Sequence, residues 1–471
     1  MAKSSRAVAE GVVGDVRGRV VSRRGVGRSR TGQVLLFLGL VLAGAALPGV
    51  ARAQTRTTEG MLPDGTAYRI DVPQSWNGTL LIGLDYAAGN TATSPTSMAL
   101  LARGYALAGT TRLVTGWAVE QSIANQIATL DIAIEHYGKP AHAVVFGSSL
   151  GAHTGAATIQ ARPERFDAAL LMCGGLAGAV SLWNSKLDAV FVARTLLATD
   201  TAGLPVIGIP NDFATTARPA WLRALAAAQR TPEGRARIAL AAVLAQLPTW
   251  SDPRKPQPAA SDMAALQEGL YDSLAGGPLP VVGQAMSSRN EIERRSGGNI
   301  SSNVGIDYAA QLERVGGRDL VRELYRQAGL DLAADLETLA RAPRVSADPA
   351  AVAWTAPGNF DGRLAMPVLT MNGIGDNISP VSGQEAFERG VRAAGRADML
   401  RQVYTNTAGH CGFSAAEVVT AVEALTARLD TGAWGDRTNA TTMNARAGSL
   451  DLGPARFVSY EPEPFVRAAA R

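Results

Sequence analysis

The sequence predicts an α/β protein with a mainly parallel sheet flanked by helices and a long helical insertion between two of its strands. Three observations carry this. From Gln54 onward, short apolar runs alternate with amphipathic segments, the pattern of strands joined by helical crossovers. An apolar run at residues 143–146 leads through a glycine-flanked turn into a helix-compatible stretch at 152–161. From about Gly178 to Asp361 the strand-like runs stop, and they resume at Pro367.

Residues 67–72 read as a first strand, and 79–84 (TLLIGL) as a buried strand, because a continuous apolar run of this length suits a strand covered on both faces. Residues 105–109 give another. Val119, Ile123, Ile127, Leu130 and Ile134 then recur on one face of a helix. Residues 168–172 (AALLM) form the strand after the glycine-flanked turn. In the insertion, breakers separate helical segments at 219–228, 232–247, 262–274 and 308–342, with a proline-rich loop at 251–258. Such an insertion forms a cap over one edge of the sheet or a separate helical domain. After it come a strand at 367–371, a loop carrying Asp376, a helix at 381–393, a strand at 400–404, a loop at 405–413 containing His410, and a helix at 415–429. The tail from Gly432 has little periodicity. The resulting division is 1–53 leader, 54–177 first part of the core, 178–361 helical lid, and 362–471 second part of the core with the tail.

With 471 residues, 46% of them hydrophobic, the chain has ample material for a large core. Two cysteines exclude a disulfide scaffold and a structural zinc cluster, and four histidines leave little room for histidine-rich metal sites. The formal charge of +4 suggests an anionic partner, yet residues 1–53 hold nine Lys/Arg against two acidic residues, which leaves 36 basic and 39 acidic residues beyond. The excess belongs to the leader, so no nucleic-acid partner is expected. That leader has an arginine-rich start, an apolar stretch at 34–50 and the small-residue site Ala51-Arg52-Ala53, the three parts of an export signal. A secreted or periplasmic protein is expected, cleaved near Ala53 and left with no stable membrane anchor.

Gly147-Ser148-Ser149-Leu150-Gly151 has the G-x-S-x-G pattern, in which small residues let a serine sit on a sharp strand-to-helix turn. The turn would present the Ser149 hydroxyl at the top of the sheet and face the Leu150 backbone N–H toward a developing oxyanion. A base is needed. His136 ends a helix, His142 lies at the wrong end of its strand, and His153 lies four residues into the following helix; His410, in a glycine-flanked loop after the last strand, remains. Asp376, in the loop after the preceding strand, is the carboxylate that would orient it, with helix capping as its alternative role. Asp361 precedes that strand and fits less well.

With G-x-S-x-G after one strand, Asp376 after a later one and His410 after the last, the chain resembles the α/β-hydrolase superfamily over about residues 67–429. The resemblance implies an esterase-like serine hydrolase with the triad Ser149, Asp376 and His410, a lid in the insertion, and no metal or organic cofactor. A small-molecule or polymeric ester would be its substrate. Many members carry a His-Gly pair where this chain has Leu84-Asp85-Tyr86, so a backbone N–H near Tyr86 is the candidate second oxyanion donor beside Leu150. His410-Cys411 also resembles the tannase and feruloyl-esterase-like enzymes, whose cysteine beside the histidine pairs with one just before the serine. Ser148 stands at that position, so that bond cannot form. A Cys173–Cys411 disulfide and two buried thiols both remain open.

Two other readings are compatible with the sequence. A tripeptidyl-aminopeptidase-like serine peptidase would need a carboxylate for the peptide amino terminus, for which Glu291, Glu293 and Asp307 are candidates. A non-catalytic binding module would be expected to have lost one of the three triad residues. Trp183, Trp221, Trp250 and Trp354 could line an acyl pocket or simply pack in a core.

Overall fold

The computed structural model describes residues 55–198 and 203–467. The leader expected at 1–53 lies outside the described residues. No described helix is long and apolar enough to cross a membrane.

The strands are β1 (Thr55–Met61), β2 (Ala67–Pro73), β3 (Thr79–Leu84), β4 (Ala106–Thr110), β5 (His142–Ser148), β6 (Ala168–Met172), β7 (Val368–Gly375), β8 (Leu400–Ala408) and β9 (Phe457–Val458). They form one sheet in the order β1-β2-β4-β3-β5-β6-β7-β8-β9. The run from β4 through β8 is parallel, and β1, β2 and β9 are antiparallel additions at the edges. In β3, alternate side chains serve opposite faces. Leu80 and Ile82 pack with Leu130 and Ala156 in one layer, while Leu81 packs with Leu100, Val419 and Val422 in the other. The helices supplying these layers include α1 (Pro95–Ala102), α2 (Val119–Tyr137) and α3 (Leu150–Ala161).

Between β6 and β7 the chain is helical. Its described helices are α4 (Ala179–Leu197), α5 (Ala217–Ala228), α6 (Pro232–Leu244), α7 (Met263–Tyr271), α8 (Val281–Ser296), α9 (Tyr308–Leu312), α10 (Arg318–Gln327), α11 (Leu332–Arg341) and α12 (Pro349–Trp354). They share an apolar cluster built on Trp183, Phe191, Trp221, Leu240 and Tyr325, and Ile378 of the loop after β7 joins it. After β7 follow α13 (Ser382–Ala393), α14 (Ala415–Thr431) and α15 (Ala440–Gly448).

Several expectations need correction. Helix α4 has no counterpart in the sequence reading, because it is buried around most of its circumference, Asn184, Lys186 and Asp188 included, and so shows no amphipathic stripe. Helix α8 was missed as well. The strand expected at 400–404 continues to Ala408, so the loop expected from 405 begins later. The pairing Thr405↔Phe457 extends it, and the buried Thr405 and Thr407 hydroxyls bond each other at 2.9 Å. The tail supplies α15 and β9, and α14 is not the final helix.

Candidate active site

Ser149 stands between the end of β5 and the start of α3 with φ 57° and ψ −122°, a backbone that side-chain-bearing residues rarely adopt. Its amide donates to the Met172 carbonyl at 2.9 Å, which holds the turn against β6. The flanking glycines are not equivalent. A Cβ at position 147 would lie 2.3 Å from the Gly151 carbonyl oxygen, whereas one at 151 would make ordinary contact with the Leu84 side chain at 3.4 Å. Leu150 is the first residue of α3, so its N–H belongs to the set without an intrahelical acceptor.

The structure brings Ser149, His410 and Asp376 together from three loops at the carboxyl ends of β5, β8 and β7. His410 Nε2 lies 2.6 Å from Ser149 Oγ, and His410 Nδ1 lies 2.8 and 3.0 Å from the two oxygens of Asp376. Asp376 is fully buried. Its Oδ1 also accepts the Ile378 and Ser379 amides, both at 2.9 Å, which shapes its own loop; it does not cap the following helix, whose N-cap is Val381. The adjacent Asn377 donates through Nδ2 to the Ser273 and Leu279 carbonyls, and Lys186 Nζ of α4 donates to the Ile378 carbonyl at 3.0 Å. The insertion thus grips the loop that carries the acid. Burial lowers the Lys186 pKa to about 7, against the opposing pull of the Asp376 charge.

A disulfide joins Cys173, just beyond β6, to Cys411. It settles the alternative left open by the sequence, and the free thiols are set aside. Gly409 donates its amide to the Gly375 carbonyl at 3.1 Å. His410 is therefore anchored on both sides. Among the described residues, Cys173, His410 and Cys411 are close enough to share a metal ion. Their sulfurs are bonded to each other, however, and the imidazole is already engaged at both nitrogens.

Tyr86 follows β3, whose register pairs Ile82 with Val145 of β5. β3 ends at Leu84 and β5 at Ser148, so Tyr86 and Ser149 both lie just beyond the carboxyl ends of these parallel neighbours. Its buried hydroxyl donates to Asp71 at 2.6 Å, and the preceding Asp85, at φ 73°, accepts from Arg112. The backbone expected to supply a second oxyanion donor is thus held from both sides.

The other histidines are placed elsewhere. His136 lies in the last turn of α2, and His142 opens β5 with Nε2 3.6 Å from Asp430. His153 is buried, packs at a tilt against Trp117 and edge-on to Phe360, and donates from Nδ1 to the Gly175 carbonyl at 3.0 Å. Asp361 is exposed and caps the Arg363 amide. The carboxylates considered for a peptide amino terminus are committed as well. Glu291 accepts the Trp117 amide, Glu293 accepts the Gly208 and Ile209 amides, and Asp307 caps α9.

A cavity of about 60 Å³ opens beside Ser149, lined among others by Arg112, Trp117, His153, Leu182, Gln284 and Ile378. None of the four tryptophans singled out in the sequence lines it. Trp183 and Trp221 are core residues, while Trp250 lines a separate cavity of about 440 Å³. Trp117 and Arg112 were missed; the one sequence signal for them is their place in the loop after β4, at the same end of the sheet as Ser149.

This sheet, with its strand–turn–helix around Ser149 and its helical insertion after β6, defines the α/β-hydrolase fold. No family model matches the sequence. The chain is 34% identical over 433 residues to the o-phthalyl amidase of Xanthobacter agilis, an alignment spanning 85% of this chain and 93% of the relative. It belongs to that amidase's family within the α/β-hydrolase superfamily, and it is a hydrolase. Solved structures similar to it include an esterase from Aspergillus oryzae, at 11% identity and a TM-score of 0.39 over 80% of this chain and 79% of that one. Feruloyl esterase B from Aspergillus oryzae is similar at 12% identity and a TM-score of 0.38, over 80% of each chain.

Proposed function

We propose that the protein is an exported serine hydrolase that cleaves carboxylic amides and esters, with phthalyl amides and esters as its substrate class. The observation that carries the serine mechanism is the continuous hydrogen-bonded set from Ser149 through His410 to buried Asp376. Its amidase relative supports the extension from esters to amides and supplies the phthalyl group. The Cys173–Cys411 disulfide agrees with an oxidising compartment outside the cytosol.

In this reading His410 takes the Ser149 proton as Oγ attacks the carbonyl carbon, and Asp376 holds the Nδ1–H tautomer and stabilises the imidazolium. The Leu150 and Tyr86 backbone N–H groups receive the negative charge on the former carbonyl oxygen. Collapse of the tetrahedral intermediate breaks the C–N or C–O bond, and His410 returns the proton to the departing amine or alcohol. Water then attacks the acyl-enzyme with His410 again as base, which releases the acid and restores Ser149.

The test is steady-state hydrolysis of phthalyl anilide and of a series of p-nitrophenyl esters by wild type and Ser149→Ala. Wild type is expected to turn over both classes, and the variant to lose on the order of 10⁴-fold or more in kcat. Equal activity in the two proteins would overturn the reading.

A further inference from the structure

The cavity beside Ser149 has an uneven wall. Trp117, Leu182 and Ile378 give it an aromatic and aliphatic lining, and among the described residues that line it Arg112 alone carries a positive charge. His153, also in the wall, is buried, and burial pulls its pKa down to about 4, so it is neutral at pH 7. Among the described residues, no carboxylate lines the cavity.

Arg112 is aimed by Asp85. Nε donates to Asp85 Oδ1 at 2.8 Å and Nη2 donates to Oδ2, the side-by-side geometry of a guanidinium and a carboxylate. That fork uses the Nε–Nη2 edge. The remaining edge, with both N–H bonds of Nη1 and the second of Nη2, has no partner among the described residues and matches another planar carboxylate. Asp85 directly follows β3, so this pair ties the guanidinium to the carboxyl end of the strand beside β5, and Arg112 and Ser149 line the same cavity. A carboxylate attached close to the scissile carbonyl would thus lie within the cavity that Arg112 and Ser149 share.

We propose that Arg112 is a specificity-determining residue that binds a carboxylate on the acyl portion of the substrate, ortho to the scissile carbonyl, through its free Nη1 edge. The proposal rests on the hydrolase reading above. It makes the preferred acyl group an aromatic ring held by Trp117 and Leu182 with an anion on the carbon adjacent to the reacting one.

The experiment compares kcat/KM for phthalyl anilide, its para-carboxy isomer and unsubstituted benzanilide in wild type, Arg112→Gln, Arg112→Lys and the charge-balanced pair Asp85→Asn/Arg112→Gln. Loss of a charge-assisted pair should lower the ortho-to-unsubstituted selectivity ratio by about 10- to 150-fold, mainly through KM, with partial rescue by lysine. Phthalate should also protect wild type, and not Arg112→Gln, from fluorophosphonate labelling. A selectivity ratio that stays within about threefold would overturn the assignment, since a merely structural role lowers all three substrates alike. That result would leave the hydrolase reading intact. A folded wild type that turns over neither the anilides nor p-nitrophenyl esters would overturn both.

Discussion

Cys411 is bonded to Cys173, so the residue directly after His410 is tied to the end of the strand beside the one that carries Ser149. The link spans 238 residues of sequence, including the whole insertion. It adds a covalent tie between two loops that the sheet already brings to the same end.

Opening this link is therefore expected to affect both stability and the placement of His410. By loop-closure entropy a cross-link of this span stabilises by about 5 kcal/mol, an upper value for a real protein. Cys173→Ser/Cys411→Ser, or wild type treated with a strong reductant, should unfold at a lower temperature and lose kcat more than KM. Thermal unfolding beside steady-state kinetics checks this. An unchanged kcat with a lowered Tm would mean that the link holds the fold and not the histidine.

Asp376→Asn separates the two tasks of that carboxylate. An asparagine oxygen can still accept the Ile378 and Ser379 amides, so the loop should keep its shape. The amide cannot stabilise an imidazolium or fix the same tautomer, and kcat should fall on the order of 10³- to 10⁴-fold. Kinetics combined with a melting curve measures both effects in one preparation.

Gly147→Ala and Gly151→Ala are expected to diverge although both belong to the same motif. The first places a methyl against the Gly151 carbonyl at 2.3 Å and must displace backbone at the turn. Its cost is about 3 kcal/mol or more, with activity lost. The second makes ordinary contact with Leu84 and should keep fold and turnover. Chemical denaturation of the pair provides the comparison.

Buried His153 and Lys186 make stability rise with pH in two separate windows, one acidic and one alkaline. The folded pKa of His153 is lowered to about 4 from 6.5, so the unfolded chain takes up the proton first as pH falls. Its contribution is fully present above 6.5 and is lost between 6.5 and 4, by up to about 3 kcal/mol. Lys186, lowered to about 7 from 10.5, adds stability as pH rises from 7 to 10.5, because the unfolded chain then holds a proton that the folded chain has released. Urea titrations of His153→Gln and Lys186→Met against wild type, from pH 4 to 10, should show each slope flattened in its own window.

The parts of the fold legible in the sequence were those whose pattern follows from burial on two faces. β3 and β6 have the bounds that TLLIGL and AALLM suggested, since a fully covered strand leaves a continuous apolar run. β1, an exposed edge strand of sequence TRTTEGM, has no such run and was missed. Helix α4 escaped for the reverse reason, because polar residues such as Asp188 sit inside, bonded to Tyr308, Gln311 and Arg467 from distant segments. Ser149, Asp376 and His410 could be chosen because each lies in a glycine-containing loop at one end of the sheet. Trp117 and Arg112 could not, since their place beside Ser149 depends on Glu291 of α8 gripping the Trp117 amide and on the Asp85 fork. Neither contact leaves a trace in local sequence.

The most direct measurement is fluorophosphonate labelling of the folded protein, with the modified residue mapped by mass spectrometry in wild type, Ser149→Ala and His410→Ala. A single adduct on Ser149, absent from Ser149→Ala and formed at least about 10³-fold more slowly in His410→Ala, is the result this account expects. An adduct on another serine, or labelling that proceeds at the wild-type rate without His410, would contradict it.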